Sequence, residues 1–169
     1  MSMGKKQHMT CLRGTEMVSK SNPWIAFRGK IDTVMAEAAY GAALAEAEGK
    51  LLLRDGLNDI VRCLMEVMGA EVCLREPVMP TVAGRDLETL HDMSHDPIKY
   101  FGSWHFVPEP HEGAALSWTN VLRTRVREAE RDLIVACEDD INEGLCYALN
   151  RISSAVFVLM CEEHSRCKG

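Results

Sequence analysis

A chain of 169 residues with 47% apolar side chains is long enough to bury one real core. The net charge of −6 excludes a general nucleic-acid binder, which needs a basic face, so any anion site must be built locally from a few cations. The opening stretch MSMGKKQHMTCLRG has no apolar leader and no run reads as a membrane span, so a cytoplasmic protein with no membrane contact is expected.

Residues 1–21 are polar and basic and read as an N-terminal arm ahead of a single domain over 22–169. The first helix starts at SNPWIAF, where Asn22 can cap and Pro23 suits the first turn. Trp24, Phe27, Ile31, Val34 and Ala38 recur at helical spacing towards Glu48, and Gly49 ends the run. A second helix is expected from Arg54 to Val72, with Leu57, Ile60, Leu64 and Val67 on its apolar face. The prolines and glycine of REPVMPTVAG break it.

A short helix follows over Asp86 to Ser94, then a long aromatic loop, YFGSWHFVPEPHEG, from Tyr100 to Gly113. Loops of that length in a compact helical domain are usually functional or mobile. The third long helix runs from Ala114 to Cys137 on the stripe Trp118, Leu122, Val126, Ala129, Leu133. The fourth runs from Ile141 to Glu163 on Leu145, Leu149, Ile152, Val156 and Leu159. The expected class is all-α, a four- to five-helix bundle.

Seven cysteines at irregular spacing, with no C-x-x-C and no zinc-type cluster, read as reduced and mostly buried thiols. Helix three carries a sharper signal. In NVLRTRVREAERDL, Arg123, Arg127 and Arg131 stand at i, i+4 and i+8, where like charges repel by about 0.2–0.5 kcal/mol per pair. Two readings stay open: a solvated flank with Glu130 pairing Arg127, or one wall of an anion pocket between helices, for which the planar guanidinium fork is suited. Arg28 and Asp32 at i, i+4 beside Phe27 and Ile31, Asn150 beside Leu149, and Lys20 just before a helix N-terminus are similarly placed beside apolar stripes.

The segments EMVSKSNPWIAFRGKID, LRTRVREAER and ALNRISSAVFVLM, standing in that order, resemble the hallmark stretches of the ATP:corrinoid adenosyltransferases, PduO-like and EutT-like. LETLHDMSHDPIKYF followed by HFVPEPHEG resembles the ethanolamine-utilization branch in particular. The likeness spans Thr10 to Met160. It implies a helical bundle that assembles into homo-oligomers, trimers in the family, with ATP bound near subunit boundaries. It implies transfer of the 5′-deoxyadenosyl group of ATP to reduced cobalamin, with release of triphosphate and with Mg²⁺ as cofactor. It further implies service to ethanolamine ammonia-lyase or a cobalamin reductase as partner, in the cytoplasm or in association with a bacterial microcompartment.

By the same resemblance, Thr10, Lys20, Arg28, Arg127, Glu130 and Asn150 belong to the ATP site, and Asp32 and Arg123 match a pair that bridges subunits. Arg127, Asp32 and Arg123 are thus the expected catalytic set. Trp104, Phe106 and Val107 are candidates for the apolar wall under the corrin, Phe106 first among them; the plain alternative is that these aromatics cap the bundle core. The chain departs from the branch in lacking its Cys-Cys-x-x-Cys metal motif before the SK segment, where His8 and Cys11 stand instead, so no resident metal site is expected. It departs from the PduO-like phosphate loop in MGKKQHMTCLRG, which keeps Thr10 as a last element. His91 and His95 at i, i+4 could form a metal pair or have a structural or corrin-side role. A corrinoid or nucleotide carrier or sensor on the same fold, without turnover, is the alternative function.

Overall fold

The computed structural model describes residues 7–138 and 141–167. Four long helices carry the fold: α1 (Pro23–Ala47), α2 (Leu51–Cys73), α5 (Ala114–Cys137) and α6 (Glu143–Cys167). Two shorter helices, α3 (Leu87–His95) and α4 (Pro97–Phe101), lie in the connection between α2 and α5. The core is all-α, as expected: four long helices form the bundle and two short ones join it among the described residues.

Each long helix packs antiparallel to two neighbours, in the cyclic order α1, α2, α6, α5. The short turn after Glu48 reverses the chain between α1 and α2, and Gly49 sits there at φ +70°, a conformation glycine adopts without a Cβ clash. The passage from α2 to α5 is long, and α3 covers the outer face of α6 along the way. The core is the meeting of the apolar stripes read from the sequence. Phe27, Ile31, Val34, Leu57, Ile60, Leu64, Val67, Leu122, Val126, Leu133, Leu149, Ile152 and Val156 are all fully buried in one cluster.

Several boundaries differ from expectation. Within residues 7–21 of the expected arm, β1 (Met9–Cys11) and β2 (Met17–Ser19) pair as a small antiparallel hairpin, with Thr10 opposite Val18. Leu12 buries its side chain against the bundle, which holds the hairpin there. Helix α2 begins at Leu51, three residues before Arg54, because the tight turn leaves no slack for more loop. The aromatic loop is shortened at both ends, by α4 and by a single 3-10 turn at Pro110–Glu112. Helix α6 starts two residues after Ile141 and continues past Glu163 to Cys167.

Two compositional readings also change. Helix α6 is long and apolar enough to cross a membrane by length and composition alone, contrary to the first impression of the sequence, yet 67% of its most apolar window is buried inside the bundle. That is how the central helix of a globular core reads. The seven cysteines are free thiols, but only Cys63, Cys137 and Cys161 are buried, while Cys11, Cys73 and Cys167 are exposed. Burial pushes the Cys63 and Cys161 thiols up to about 12, which makes them inert packing groups.

Gly56 lets α2 approach α6: a methyl group there would overlap both δ-carbons of Leu159. We expect Gly56→Ala to lower stability by about 2 kcal/mol, an overpacking cost of about 3 less about 1 gained in helix propensity. Denaturant unfolding measures it. The strap after α2 is pinned by Glu66, which accepts from Arg75 Nη2 at 2.9 Å and from the Val78 N–H at 2.7 Å. Those bonds hold the Glu66 pKa at about 2. Its contribution is therefore complete above the ordinary carboxylate range and is lost as the pH falls towards 2. Glu66→Gln is expected to flatten part of the acid limb of a melting-temperature-against-pH curve and to leave its slope above pH ~5 unchanged.

Candidate functional site

Helix α5 has two polar flanks either side of its buried stripe, and they are charged differently. On one, Arg125 reaches Glu128 at 2.9 Å and Glu37 of α1 at 3.4 Å, while Lys30 of α1 meets Glu128 at 3.2 Å. That flank is a neutralised helix–helix seam. On the other stand Arg123 and Arg127. Among the described residues neither makes a salt bridge, and the only hydrogen bond from either is Arg123 Nε to the Asn120 side-chain oxygen at 3.2 Å. Burial, and then the charge of Arg127, push the Arg123 guanidinium below the usual arginine range. The local ion pair between Arg127 and Glu130 that the spacing permits does not form. Glu130 instead accepts from Asn150 Nδ2 at 3.3 Å.

These two arginines face a cleft of about 390 Å³ between α3, α5, α6 and the aromatic loop. Its lining adds Asn150, Ser153, Ser154 and Phe157 from α6, His91, Ser94 and His95 from α3, and His105 and Phe106 from the loop. Among the described residues no carboxylate lines it. In a chain of net charge −6, this is a locally cationic, half-apolar pocket, suited to a polyanion carrying or facing a flat apolar group.

The Asn150 amide is oriented from both sides. Its oxygen accepts from Arg151 Nη1 at 2.9 Å as its nitrogen donates to Glu130. Arg151 is itself held by Glu88 of α3 at 2.6 Å and lies over the Tyr147 ring at 4.4 Å. This chain of contacts ties α3, α6 and α5 together at the cleft edge. On α3, His91 Nδ1 lies 3.1 Å from the Ser154 hydroxyl, and the His95 ring meets the His91 ring edge to face at 4.2 Å. Burial, then the nearby Arg151 and His95 charges, lower the His91 pKa. Among the described residues no three metal-ligating side chains converge, at His91 and His95 or elsewhere.

The other expected site residues lie elsewhere in the chain. Thr10 and Lys20 belong to the hairpin, Lys20 exposed just before α1. Residues 4–6 of the degenerate phosphate loop lie outside the described residues. Arg28 is engaged: its guanidinium donates to Glu71 at 2.6 Å and 3.1 Å and to the Leu12 carbonyl at 2.6 Å, and Arg13 joins the same carboxylate. Asp32 is exposed on α1 and makes no ion pair among the described residues. Phe106 lines the cleft, whereas Trp104 and Val107 point outward, 66% and 75% exposed.

The family model described as Cobalamin adenosyltransferase matches residues 2–163. The chain belongs to the cobalamin adenosyltransferase family. Among curated proteins it is 35% identical over 162 residues to "Corrinoid adenosyltransferase EutT" of Escherichia coli strain K12, covering 92% of this chain and 58% of that protein. The protein of the same description from Salmonella typhimurium is 32% identical over 161 residues, with the same shares covered. The chain thus spans somewhat over half the length of these relatives. Family membership agrees with the resemblance drawn from the three ordered motifs.

The cleft includes side chains that spacing arguments passed over. Ser153, Ser154 and Phe157 follow Asn150 by three, four and seven residues, so helical spacing alone would have put them on its face. His105 could not be found that way, because a loop has no period. The arrangement also separates a structural arginine from two available ones. Glu71→Ala would leave Arg28 and Arg13 beside a buried gap, and we expect it to cost about 3 kcal/mol. Denaturant melts of Glu71→Ala beside Arg127→Ala measure the contrast: the latter should leave stability within about 0.5 kcal/mol, since it relieves a like-charge contact.

Proposed function

We propose that the chain transfers the 5′-deoxyadenosyl group of ATP to Co(I) cobalamin, giving adenosylcobalamin and triphosphate. The observation that carries this reading is the pair Arg123 and Arg127, without carboxylate partners among the described residues, beside an oriented Asn150 in a cleft walled by Phe106 and Phe157. The names of the EutT relatives, corrinoid adenosyltransferases, support it.

In this reaction the cobalt of the reduced corrinoid supplies an electron pair to the ATP 5′ carbon. The Co–C bond forms as the C5′–O bond breaks, cobalt ends as Co(III), and the electrons of the broken bond leave with triphosphate. No proton has to move in the bond-making step, so the site needs no general base. It needs fixed cations where the negative charge of the leaving group grows, a role the Arg127 guanidinium would fill. It needs both reactants held in line, which the oriented Asn150 amide and the shape of the cleft serve. And it needs an apolar surface under the corrin that keeps water and a lower ligand off cobalt, because an axial ligand makes reduction to Co(I) harder. Phe106 would serve there, and its position in the cleft lining supports that reading.

Mg²⁺ suits a site with this donor set only if it arrives on the nucleotide. Among the described residues the cleft lining holds no carboxylate, and Glu130 reaches it through its bond to the lining residue Asn150. Glu130 would hold the ion or its waters, and the ion would neutralise phosphate charge. Thr10 and Lys20 stand on the hairpin, away from the cleft lining, and Asp32 and Arg123 each lack an ionic partner within the described chain. A homo-oligomer, a trimer by family likeness, reconciles these facts: the hairpin of one copy would close the cleft of the next, and Asp32 would meet the neighbouring Arg123. Arg28 would then support the hairpin through Leu12 and Glu71 rather than touch the nucleotide. The product fits supply to an adenosylcobalamin-dependent enzyme such as ethanolamine ammonia-lyase, with a reductase as electron source, in the cytoplasm or a microcompartment.

The test mixes protein, ATP, Mg²⁺ and chemically reduced cobalamin and follows the spectral change to adenosylcobalamin. Binding of both substrates without conversion would make the chain a carrier instead. Arg127→Ala should lose about 100-fold or more in turnover. It should also abolish the ATP-dependent rise in melting temperature. Parental turnover in that variant removes Arg127 from the site.

A further inference from the structure

Phe106 reaches the cleft from the loop between α4 and α5, but what holds it lies behind the cleft. Its ring stacks on the imidazole of His164 in α6, with centroids 3.9 Å apart and planes 23° from parallel. His164 Nδ1 in turn hydrogen-bonds Glu112 Oε1, and both residues are buried, at 7% and 5% exposure. The other Glu112 oxygen accepts the Glu109 N–H at 2.7 Å, closing the 3-10 turn at the end of the loop. Neither Glu112 nor His164 lines the cleft.

The footing extends further. Lys50 donates to the Glu112 carbonyl and pairs with Glu48 at 2.7 Å, and Glu48 accepts the Ala115 N–H at 3.0 Å, capping the start of α5. The loop end is thus fastened to the α1–α2 turn and to α6. Burial alone would raise the Glu112 carboxyl, but the Glu109 N–H and His164 outweigh it and hold its pKa low, so the carboxylate accepts and Nδ1 donates. An exposed cap would serve a loop end equally well. Burying a carboxylate and an imidazole costs several kcal/mol per ion unless the geometry is tightly held. The consequence of holding it is a fixed imidazole plane, and the Phe106 ring lies against that plane.

We propose that Glu112 and His164 are positioning residues for the aromatic wall of the cleft: the Glu112 carboxylate fixes the plane of the His164 ring, and that ring fixes Phe106. The inference rests on the reading of Phe106 as the surface beneath the corrin, and its role is indirect, through the stack.

His164→Asn separates this from a merely structural role. The Asn amide can still donate to Glu112, so folding is retained, but the stacking face is gone. The expected result is a fall of about 10- to 100-fold in kcat/KM for the corrinoid, the size of effect that small misplacements produce, with KM for ATP unchanged. Phe106→Ala should show the same fall, and the double variant should be no worse than either single one. Parental corrinoid kinetics in His164→Asn, or losses that multiply in the double variant, would overturn the proposal. A separate readout covers failure of the corrinoid reading itself, which Phe106→Ala with parental kinetics would reveal. Amide hydrogen exchange over residues 103–109 should quicken in His164→Asn without any substrate, and unchanged exchange there overturns the positioning role.

Discussion

Two positive charges one helical turn apart, with no acidic partner among the described residues, are the constraint around which this molecule is arranged. Arg123 and Arg127 would repel on an isolated helix. They are tolerated because the stripe Leu122, Val126, Ala129 and Leu133 is buried between α1 and α6 and fixes the rotation of α5 whatever its flanks carry. The core supplies the stability, and the flank is left free to be cationic. The opposite flank shows the contrast: there Arg125, Lys30, Glu37 and Glu128 neutralise one another across the α1–α5 seam.

The same economy governs the other polar groups. Arg28 and Arg13 converge on one buried carboxylate, Glu71, and so fasten the hairpin to the bundle. Arg151 is spent on Glu88 and on orienting Asn150. Once these are assigned, Arg123 and Arg127 are the cations left lining the cleft among the described residues. The apolar part of the cleft comes from the loop and α6, where Phe106 and Phe157 lie near the imidazoles of His164 and His105. Cationic and apolar surfaces thus stand side by side in one cleft.

Much of the fold was legible in the residues. Trp24 to Ala38, Leu57 to Val67, Leu122 to Leu133 and Leu145 to Leu159 keep one apolar face at the helical period, and burial follows that face. Asn22 before Pro23 marks the start of α1, where its side chain accepts the Trp24 N–H at 2.9 Å. The hairpin was hidden because Met9–Cys11 and Met17–Ser19 are too short to show alternation, and their pairing is completed by a long-range ion pair from Arg13 to Glu71. The membrane-like composition of α6 was misleading in the other direction: a helix surrounded on most sides by protein is apolar on most sides.

What the sequence determined by itself, then, was the helical class, the four stripes and the identity of the unusual arginines, because each depends on residues within a few positions of one another. Which arginines lack an acidic partner among the described residues was decided only by the tertiary structure. Arg28 and Arg127 look alike in the chain, and it is the approach of Glu71 across two helices that occupies one and the turn of Glu130 towards Asn150 that leaves the other. The Glu112–His164 footing beneath Phe106 belongs to the same class, since it joins residues 52 positions apart through a buried contact that no local pattern encodes.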